Sequence, residues 1–405
     1  MSRSDGAGAL RPDLTAAANF GRAWHVGGRT VFVVNTDRFF LTHRASWAVA
    51  ILTAGSPVTL IAADTGHGEE VRALGIDFRP LTLGREQIRA FQAVVVMWRL
   101  FWRLLSLRPR RVFLVATVAY TLGWPAAIVL RASRFVIVAT GAGRVLSADR
   151  RATLAAQVVQ LQLRLSARLP NVHTIFQIAA DRRLFLERRL AAAGRVHLIA
   201  GTGIDCEAWS PLGHGVEGEP VKILFAARLF REKGVYEFVE SARALADRGF
   251  CFVVAGAPDF GVSSSVRLDE IESWTSEGVV DYRGEVDDMR SLLREIDLLV
   301  LPTRHPEGTP RILMEAAACG VPAVVSDQPG CRAVVDDGIT GVILGLDDDL
   351  TGAIERLATD RSLRERLGAG ARAKAEREFA LQPVLAEVFA VAGVMSSDDE
   401  RTITG

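Results

Sequence analysis

The sequence of 405 residues has little cysteine and no long apolar run, and each shortage excludes a class of protein. Its four cysteines lie far apart without a CxxC pair, which argues against a zinc site or a disulfide framework. The longest strongly apolar stretch, 94–105, contains Arg99 and Arg103 and is well short of the ~20 residues of a membrane span. A composition of 49% hydrophobic and 23% charged residues excludes disorder, collagen and coiled coil. We therefore expect a folded, cytoplasmic protein.

Lysine is also scarce, since Lys222, Lys233 and Lys374 are the only three and arginine supplies the rest of the positive charge. The net charge of +1 hides a split: residues 1–205 carry 27 basic and 12 acidic side chains, whereas residues 206–405 carry 21 and 35. A basic first half indicates an anionic partner, such as a membrane surface or a phosphorylated acceptor. Arginine suits phosphate, although genome base composition could produce the same bias. No recognised nucleic-acid motif accompanies the arginines, so no nucleic-acid partner is expected.

Short apolar runs alternate with helical segments along the chain, a pattern typical of α/β proteins with parallel sheets. We predict two doubly wound, Rossmann-like domains that face each other across a cleft. Their ligands are expected beyond the carboxyl ends of the strands. The predicted parts are a disordered lead-in (1–28), an N-terminal domain (29–205, completed by a returning helix at about 380–393), a C-terminal domain (206–379) and a flexible tail (394–405).

The clearest chemistry follows the strand predicted at 297–301. Thr309 as N-cap and Pro310 in the first turn predict a helix there, whose free N–H groups would hold a phosphate or sugar hydroxyls. Glu307 lies before this helix, and Glu315 lies about 7.5 Å along it at 1.5 Å per residue. Two carboxylates placed in this way could bind opposite ends of a ligand that has a diphosphate in its middle.

Cations and glycines follow two other strands of the same domain. Arg228 and Lys233 come after the strand predicted at 222–227, where they would neutralise a diphosphate. Gly234 would keep the backbone close to the ligand, and Gly256 begins a further turn after the next strand. Three such loops at one sheet edge predict a binding site at that edge.

Together these segments resemble the donor domain of retaining family-four glycosyltransferases of GT-B fold. The resemblance covers about 30–392 and is most specific over 222–345. It rests on the motifs Ala227-Arg228-Leu229, Lys233-Gly234, Pro306-Glu307-Gly308-Thr309-Pro310, Glu315-Ala316, Cys319-Gly320-Val321-Pro322 and Asp337-Gly338-Ile339-Thr340-Gly341.

The resemblance implies a role for each matching residue. Arg228 and Lys233 would bind the donor diphosphate and stabilise the leaving group. Glu315 would accept ribose hydroxyls, and Glu307 would hold hydroxyls of the transferred sugar. The remaining donor-binding residues would be Gly308, Thr309, Pro310, Arg311 and Gly256.

The resemblance also implies transfer with retained anomeric configuration and without a metal or other cofactor. Three aspartate runs could imitate a metal site, but we predict that they form turns and helix starts. These runs are 287–288, 336–337 and 347–349.

The N-terminal domain is expected to bind the acceptor. The loop after its first strand, with Asp37, His43 and Arg44, resembles that of family members that extend undecaprenyl-diphosphate-linked sugars in bacterial surface glycan assembly. His43 and Arg44 would contact acceptor phosphate or sugar, or His43 could instead cap or pack under the helix.

A second loop of this domain carries Gly141, Gly143 and Arg144 where many relatives have a histidine. We expect it to approach the donor or acceptor closely, with Arg144 as a phosphate ligand. A simple tight turn would place the same glycines there.

Arginines alternate with aromatic residues between 85 and 111, which predicts a helix that contacts an anionic membrane leaflet. The alternative is a buried helix with a solvated arginine stripe. The residues expected at the membrane are Arg89, Trp98, Arg99, Trp102 and Arg103.

The sequence therefore predicts a retaining glycosyltransferase, peripheral on the inner face of the cytoplasmic membrane. It would move a hexosyl or N-acetylhexosaminyl group from a nucleotide sugar, a UDP-sugar, to a polyprenyl-diphosphate-linked saccharide in polysaccharide or glycan biosynthesis. Two alternatives remain open: a transferase with a small soluble acceptor, and a non-catalytic nucleotide-sugar-binding subunit.

Overall fold

The chain divides into two α/β units. The first comprises the residues up to Asp205 together with those from Leu381 onward, and the second spans Cys206–Ala380. The domain boundary placed after residue 205 from sequence lies at the same point. The computed structural model describes residues 12–81, 90–141, 154–211, 219–259, 264–304 and 308–394.

The first unit is built on parallel strands, and the central ones have mainly apolar sequences. Its strands are β1 (Thr30–Thr36), β2 (Val58–Ala63), β3 (Asp77–Pro80), β4 (Arg111–Val115), β5 (Arg134–Ala139), β6 (Val172–Phe176) and β7 (Val196–Leu198). They form one sheet in the order β3-β2-β1-β4-β5-β6-β7. Every residue of β4 is buried, as expected for a central parallel strand that is covered on both faces.

Helices cover both faces of this sheet. The described helices are α1 (Pro12–Gly21), α2 (Asp37–His43), α3 (Ala45–Thr53), α4 (Gly68–Ala73), α5 (Ala90–Leu107), α6 (Ala116–Gly123), α7 (Ala126–Val129), α8 (Leu154–Ser166), α9 (Ala179–Glu187) and, from the end of the chain, α17 (Leu381–Ala392). One core joins the sheet to α1, α3, α4 and α17. The other joins its opposite face to the helices from α5 to α9.

The prediction of a disordered lead-in over 1–28 was wrong for the part that the structure describes. Helix α1 buries Leu14 and Ala17 in the first core, and the Asp13 carboxylate accepts the N–H of Asp205 at 3.0 Å. The composition of this segment resembles a linker, but three-residue spacing gives the helix an apolar side. Its main partner, α3, lies more than 20 residues away in sequence, so no local pattern reveals the contact.

The predicted returning helix is present as α17. The N–H of Leu381 donates to the carbonyl of Ile204 at 2.9 Å, which ties the start of the helix to the end of the first segment. Phe389 is fully buried, with ring centroids 5.3 Å from Phe20 and 5.2 Å from Trp24. The first unit is therefore completed by residues from both ends of the described chain.

The second unit has a parallel sheet of the same kind. Its strands are β8 (Lys222–Ala226), β9 (Cys251–Ala255), β10 (Asp281–Gly284), β11 (Leu298–Leu301), β12 (Ala323–Ser326) and β13 (Gly341–Leu344). They are ordered β10-β9-β8-β11-β12-β13. The described helices are α10 (Val235–Ala244), α11 (Leu268–Ser276), α12 (Met289–Leu293), α13 (Arg311–Ala318), α14 (Pro329–Arg332), α15 (Leu350–Thr359) and α16 (Arg361–Lys374).

We expect Phe389→Ala to lower the free energy of unfolding by about 3–5 kcal/mol, because truncation leaves a cavity between α1 and α17. The matched control is Leu198→Ala on β7, where the side chain is exposed and the loss should stay below about 1 kcal/mol. Urea unfolding followed by circular dichroism measures both. Equal losses in the two variants would contradict the placement of α17 in this core.

Candidate functional site

The strand order of the second unit creates a place for a ligand between β8 and β11. Strand β8 pairs in parallel with β9 on one side and with β11 on the other. Because the chain leaves these two central strands toward opposite edges, the loops at their carboxyl ends diverge and leave a crevice. The described parts of these loops are residues 227–234 after β8, and residues 302–304 and 308–310 after β11.

These two loops are tied together by backbone contacts. The carbonyl of Glu232 accepts the N–H of Arg304 at 2.8 Å and the Thr303 hydroxyl at 3.3 Å. Gly234 has a φ of +83°, and a Cβ atom there would lie 2.3 Å from the Pro302 carbonyl oxygen. Only glycine allows this approach, so Lys233 is held beside the loop after β11.

The loop after β9 joins the same edge. The N–H of Gly256 donates to Gly284 O at 2.6 Å, and the Tyr282 hydroxyl donates to Gly256 O at 3.0 Å. Gly256 has a φ of +132°, and a Cβ atom there would lie 1.9 Å from the carbonyl oxygen of Ala227. The three loops that the sequence singled out thus meet at one sheet edge.

The two predicted cations occupy different environments. Lys233 ends a 3₁₀ turn, Arg231–Lys233, and is buried, with only 7% of its surface exposed. Arg228 is about half exposed, with its guanidinium 3.6 Å from the Asp259 carboxylate and 4.7 Å from the ring centre of Phe230. One cation is therefore fixed in the interior, and the other is held at the surface of the same loop by an acid and an aromatic ring.

Helix α13 carries a carboxylate at its first turns. The helix begins at Arg311 with Pro310 as N-cap, one residue later than predicted, because Pro310 has an extended ψ of 121°. Glu315 is buried, and its Oε1 accepts the Arg311 Nε–H at 2.6 Å. A carboxylate paired in this way can also accept hydrogen bonds from hydroxyl groups. Sequence reasoning missed the pair, although its i,i+4 spacing was a usable signal.

The other residues predicted for the donor fall in two groups. Gly308 and Thr309 lie in a bend between β11 and α13 and are partly buried. Glu307, the predicted catalytic carboxylate, lies outside the described residues.

The predicted acceptor residues of the first unit are largely engaged by the fold. Burial raises the pKa of the Asp37 carboxyl, but hydrogen bonds from Thr65, Arg38 and His67 outweigh burial and lower it below its ordinary value. Arg44 is only 1% exposed and stacks on the Trp47 ring at 4.5 Å. Asp37 thus fastens the start of α2, and Arg44 is packed in the interior. Their contact with an acceptor stays a prediction.

His43 and the glycine loop give the remaining acceptor predictions. The imidazole of His43 lies 4.4 Å from the ring of Phe39 with the two planes tilted by 44°, as expected if it packs along its own helix. Gly141 follows β5 and has a φ of +135°. A positive φ of this kind is expected if the glycine forms a tight turn. Gly143 and Arg144 lie outside the described residues.

The aspartate runs form helix starts and turns where the structure describes them. Asp288 and Asp349 accept N–H bonds as the N-caps of α12 and α15. The Asp336 carboxylate pairs with Lys374 at 2.6 Å. Within the described ranges, no cluster of three potential metal-ligating side chains occurs.

Helix α5 presents one apolar side to the core and another to the outside. Leu100 and Leu104 are buried, whereas Trp98 is 60% and Trp102 is 51% exposed. Arg103 donates to the carbonyl of Pro80 at 2.8 Å. Arg89 lies outside the described residues. Among the helices in the described part of the chain, none combines the length and apolar character needed to cross a bilayer.

Comparison with known proteins identifies the second unit. Residues 213–374 match the family model described as "Glycosyl transferases group 1". These residues form a group 1 glycosyl transferase domain. The match confirms the resemblance drawn from the motifs over this part of the chain, and it covers all three loops at the sheet edge.

Curated relatives resemble the chain over part of its length. The N,N'-diacetylbacillosaminyl-diphospho-undecaprenol alpha-1,3-N-acetylgalactosaminyltransferase of Campylobacter jejuni is 35% identical over 158 residues, 38% of this chain and 40% of that protein. The alpha-maltose-1-phosphate synthase of Mycobacterium tuberculosis is 32% identical over 207 residues, 45% of this chain and 53% of that protein. The chain thus spans about half the length of the curated relatives that it matches.

Solved structures share the fold of both units. A crystal structure of HepE from Anabaena in complex with UDP has a TM-score of 0.71 at 16% identity and covers 90% of this chain and 99% of that one. Sucrose-phosphate synthase from Thermosynechococcus elongatus has a TM-score of 0.69 at 17% identity and covers 90% and 98%. The predicted GT-B class, with two Rossmann-like units, is confirmed.

We expect Gly256→Ala to destabilise the group 1 domain by about 3 kcal/mol or more, because the new methyl group meets the Ala227 carbonyl in addition to the unfavourable φ. Gly278→Ala is the matched control, since its φ is +69° but a Cβ atom there meets no neighbour within 4 Å. The control should lose only about 1 kcal/mol. Denaturant unfolding of both variants measures the difference, and similar losses would mean that the contact with Ala227 carries no strain.

Proposed function

We propose that the chain is a retaining glycosyltransferase that moves a hexosyl or N-acetylhexosaminyl group from a UDP-sugar to a polyprenyl-diphosphate-linked saccharide. The observation that carries this proposal is that the loop of Arg228 and Lys233 is tied to the start of the segment after β11, which leads into the helix of the Arg311–Glu315 pair. A nucleotide sugar contains the matching groups, a diphosphate between two sets of hydroxyls.

The cations account for the departure of the nucleoside diphosphate. As the bond between the sugar carbon and the phosphate oxygen breaks, negative charge grows on that oxygen. Lys233 and Arg228 stabilise this charge, and the buried position of Lys233 strengthens its effect because little water screens it. The acceptor hydroxyl forms the new bond to the sugar carbon on the same face, and its proton passes to the departing diphosphate.

The carboxylates select and orient the donor. Glu315, paired with Arg311, accepts hydrogen bonds from the ribose hydroxyls. Glu307 holds hydroxyls of the transferred sugar near the start of α13. With cations supplied by the protein at the diphosphate, this reaction scheme uses no metal ion.

The acceptor assignment draws on the relative from Campylobacter jejuni, whose name specifies a diphospho-undecaprenol substrate. A lipid-linked acceptor also agrees with the charge of residues 1–205, which carry 27 basic and 12 acidic side chains. We propose that the protein reaches this acceptor as a peripheral protein on an anionic membrane surface. The choice of a UDP-sugar as the donor draws on HepE, a protein of similar fold that was crystallised with UDP-glucose.

We expect Glu307→Gln to reduce sugar transfer by about a hundredfold or more while the protein stays folded, because an amide binds the sugar hydroxyls more weakly than a carboxylate. The control is Glu272→Gln, at an exposed position of α11 in the same unit. Released UDP is measured with lipid-linked acceptor present, and circular dichroism verifies the fold. Full activity of Glu307→Gln would refute the assignment of its role.

A panel of acceptors tests the substrate class. Undecaprenyl-diphosphate-linked saccharides should give product with a UDP-hexose or UDP-N-acetylhexosamine, and inositol phosphate, glucose 1-phosphate and free sugars should give none. Product on a soluble acceptor alone would favour the transferase with a soluble acceptor. UDP-sugar binding without product on any acceptor would favour the non-catalytic subunit.

A further inference from the structure

We propose that α5, α7 and α8 together form one membrane-docking face, and that a groove between α5 and α7 binds the headgroup of an anionic phospholipid. The name docking face is used here for the outward sides of these three helices. This inference deepens the proposed membrane association, since it extends the contact from one helix to three and assigns a headgroup site within it.

The docking face collects most of the exposed large apolar side chains in the described part of the chain. Twelve such side chains are at least 36% exposed, and eight of them lie on these three helices. On α5 they recur every four residues, and on α8 every three or four, so each helix carries an apolar stripe. The eight are Val94, Trp98, Trp102, Ile128, Val129, Val158, Leu161 and Leu165.

The three stripes point away from the same side of the first sheet. The inward residues Leu100 of α5, Ala127 of α7 and Leu163 of α8 all belong to one core, on the sheet face opposite α17. Helices that share a core on one sheet face turn their opposite sides outward together. The three stripes therefore belong to one layer of helices rather than to separate parts of the surface.

The charge of this layer identifies its partner. From Gln87 to Ala148 the sequence contains nine arginines and not one aspartate or glutamate. Arg111 and Arg134 of this stretch donate to carbonyls of α17 and do not belong to the docking face. The arginines on α5 or in the segments that follow α5 and α7 are Arg99, Arg103, Arg108, Arg110 and Arg131. Exposed tryptophan and aliphatic side chains beside arginine are typical of helices that lie in the interface of an anionic bilayer. Because no acid offsets these arginines, the layer is attracted more strongly to an anionic membrane surface than to a neutral one.

A groove of about 820 Å³ opens between the end of α5 and the segment that follows α7. Its apolar lining includes Trp102, Leu105 and Val129, and its arginines are Arg108, Arg110 and Arg131. Its lining contains no acidic side chain. An apolar wall beside three guanidinium groups matches a phospholipid, whose phosphate and glycerol backbone adjoin its acyl chains.

The test is binding of the full chain to vesicles in the absence of donor and acceptor, so the outcome does not depend on sugar transfer. Vesicles of equal parts phosphatidylglycerol and phosphatidylcholine should bind the protein, and phosphatidylcholine vesicles should bind it at least about tenfold more weakly. Loss of one arginine through Arg131→Gln should weaken binding about fivefold. Leu161→Ser on α8 should weaken it about tenfold, because its side chain no longer enters the apolar region.

Two further variants define the limits of the face. Arg99→Glu combined with Arg103→Glu should weaken binding by more than about twentyfold. Arg72→Gln is the matched control, because α4 packs on the opposite core of the same unit, and its binding should be unchanged. Tryptophan emission should shift to shorter wavelength on binding, and Trp98→Phe combined with Trp102→Phe should abolish that shift.

Several outcomes would overturn the proposal. If only the α5 variants lose binding, the face is a single helix and neither the groove nor α8 takes part. If Arg72→Gln weakens binding as much as Arg131→Gln, the attraction comes from the overall charge of the protein and not from the docking face. Equal binding to vesicles with and without phosphatidylglycerol would exclude a site for an anionic headgroup.

Discussion

The contact between Gly234 and the Pro302 carbonyl is the constraint on which the proposed donor site depends. It exists because β8 and β11 are adjacent in the sheet although more than 70 residues separate them in sequence. The close approach fixes the loop that carries Lys233 against the loop that leads into α13, with the Glu232 carbonyl accepting two further hydrogen bonds. A residue with a Cβ atom in place of Gly234 would separate the two loops. The backbone therefore positions the cation and the carboxylate before any ligand arrives.

Charge is distributed according to the chemistry proposed for each unit. The second unit is acidic as a whole, yet Arg228, Lys233 and Arg311 are concentrated around one sheet edge, which gives local attraction for a diphosphate without a general affinity for anions. In the first unit the arginines lie along a long stretch without acids, which suits a broad anionic surface. The near-neutral total thus results from a basic first part of the chain and an acidic second part.

Much of the fold could be predicted because parallel strands buried on both faces have continuous apolar sequences. Strands β4, β9, β12 and β13 coincide with short, mainly apolar segments of the sequence. The disordered lead-in was wrongly predicted because the order of this segment depends on partners distant in sequence. Helix α1 is stable because α3 and α17 cover it. Composition alone cannot distinguish such a helix from a linker.

The sequence by itself determined the α/β class, the division at residue 205, the group 1 motifs and the residue types at the donor edge. These follow from periodicity and local spacing, which a linear pattern records. Only the tertiary structure decided that α1 packs into the first core, that Thr65 and His67 hold the Asp37 carboxylate, and that three helices turn apolar stripes outward from one core. Each of these depends on which side of an element meets a neighbour, and that is set by packing between segments far apart in the chain.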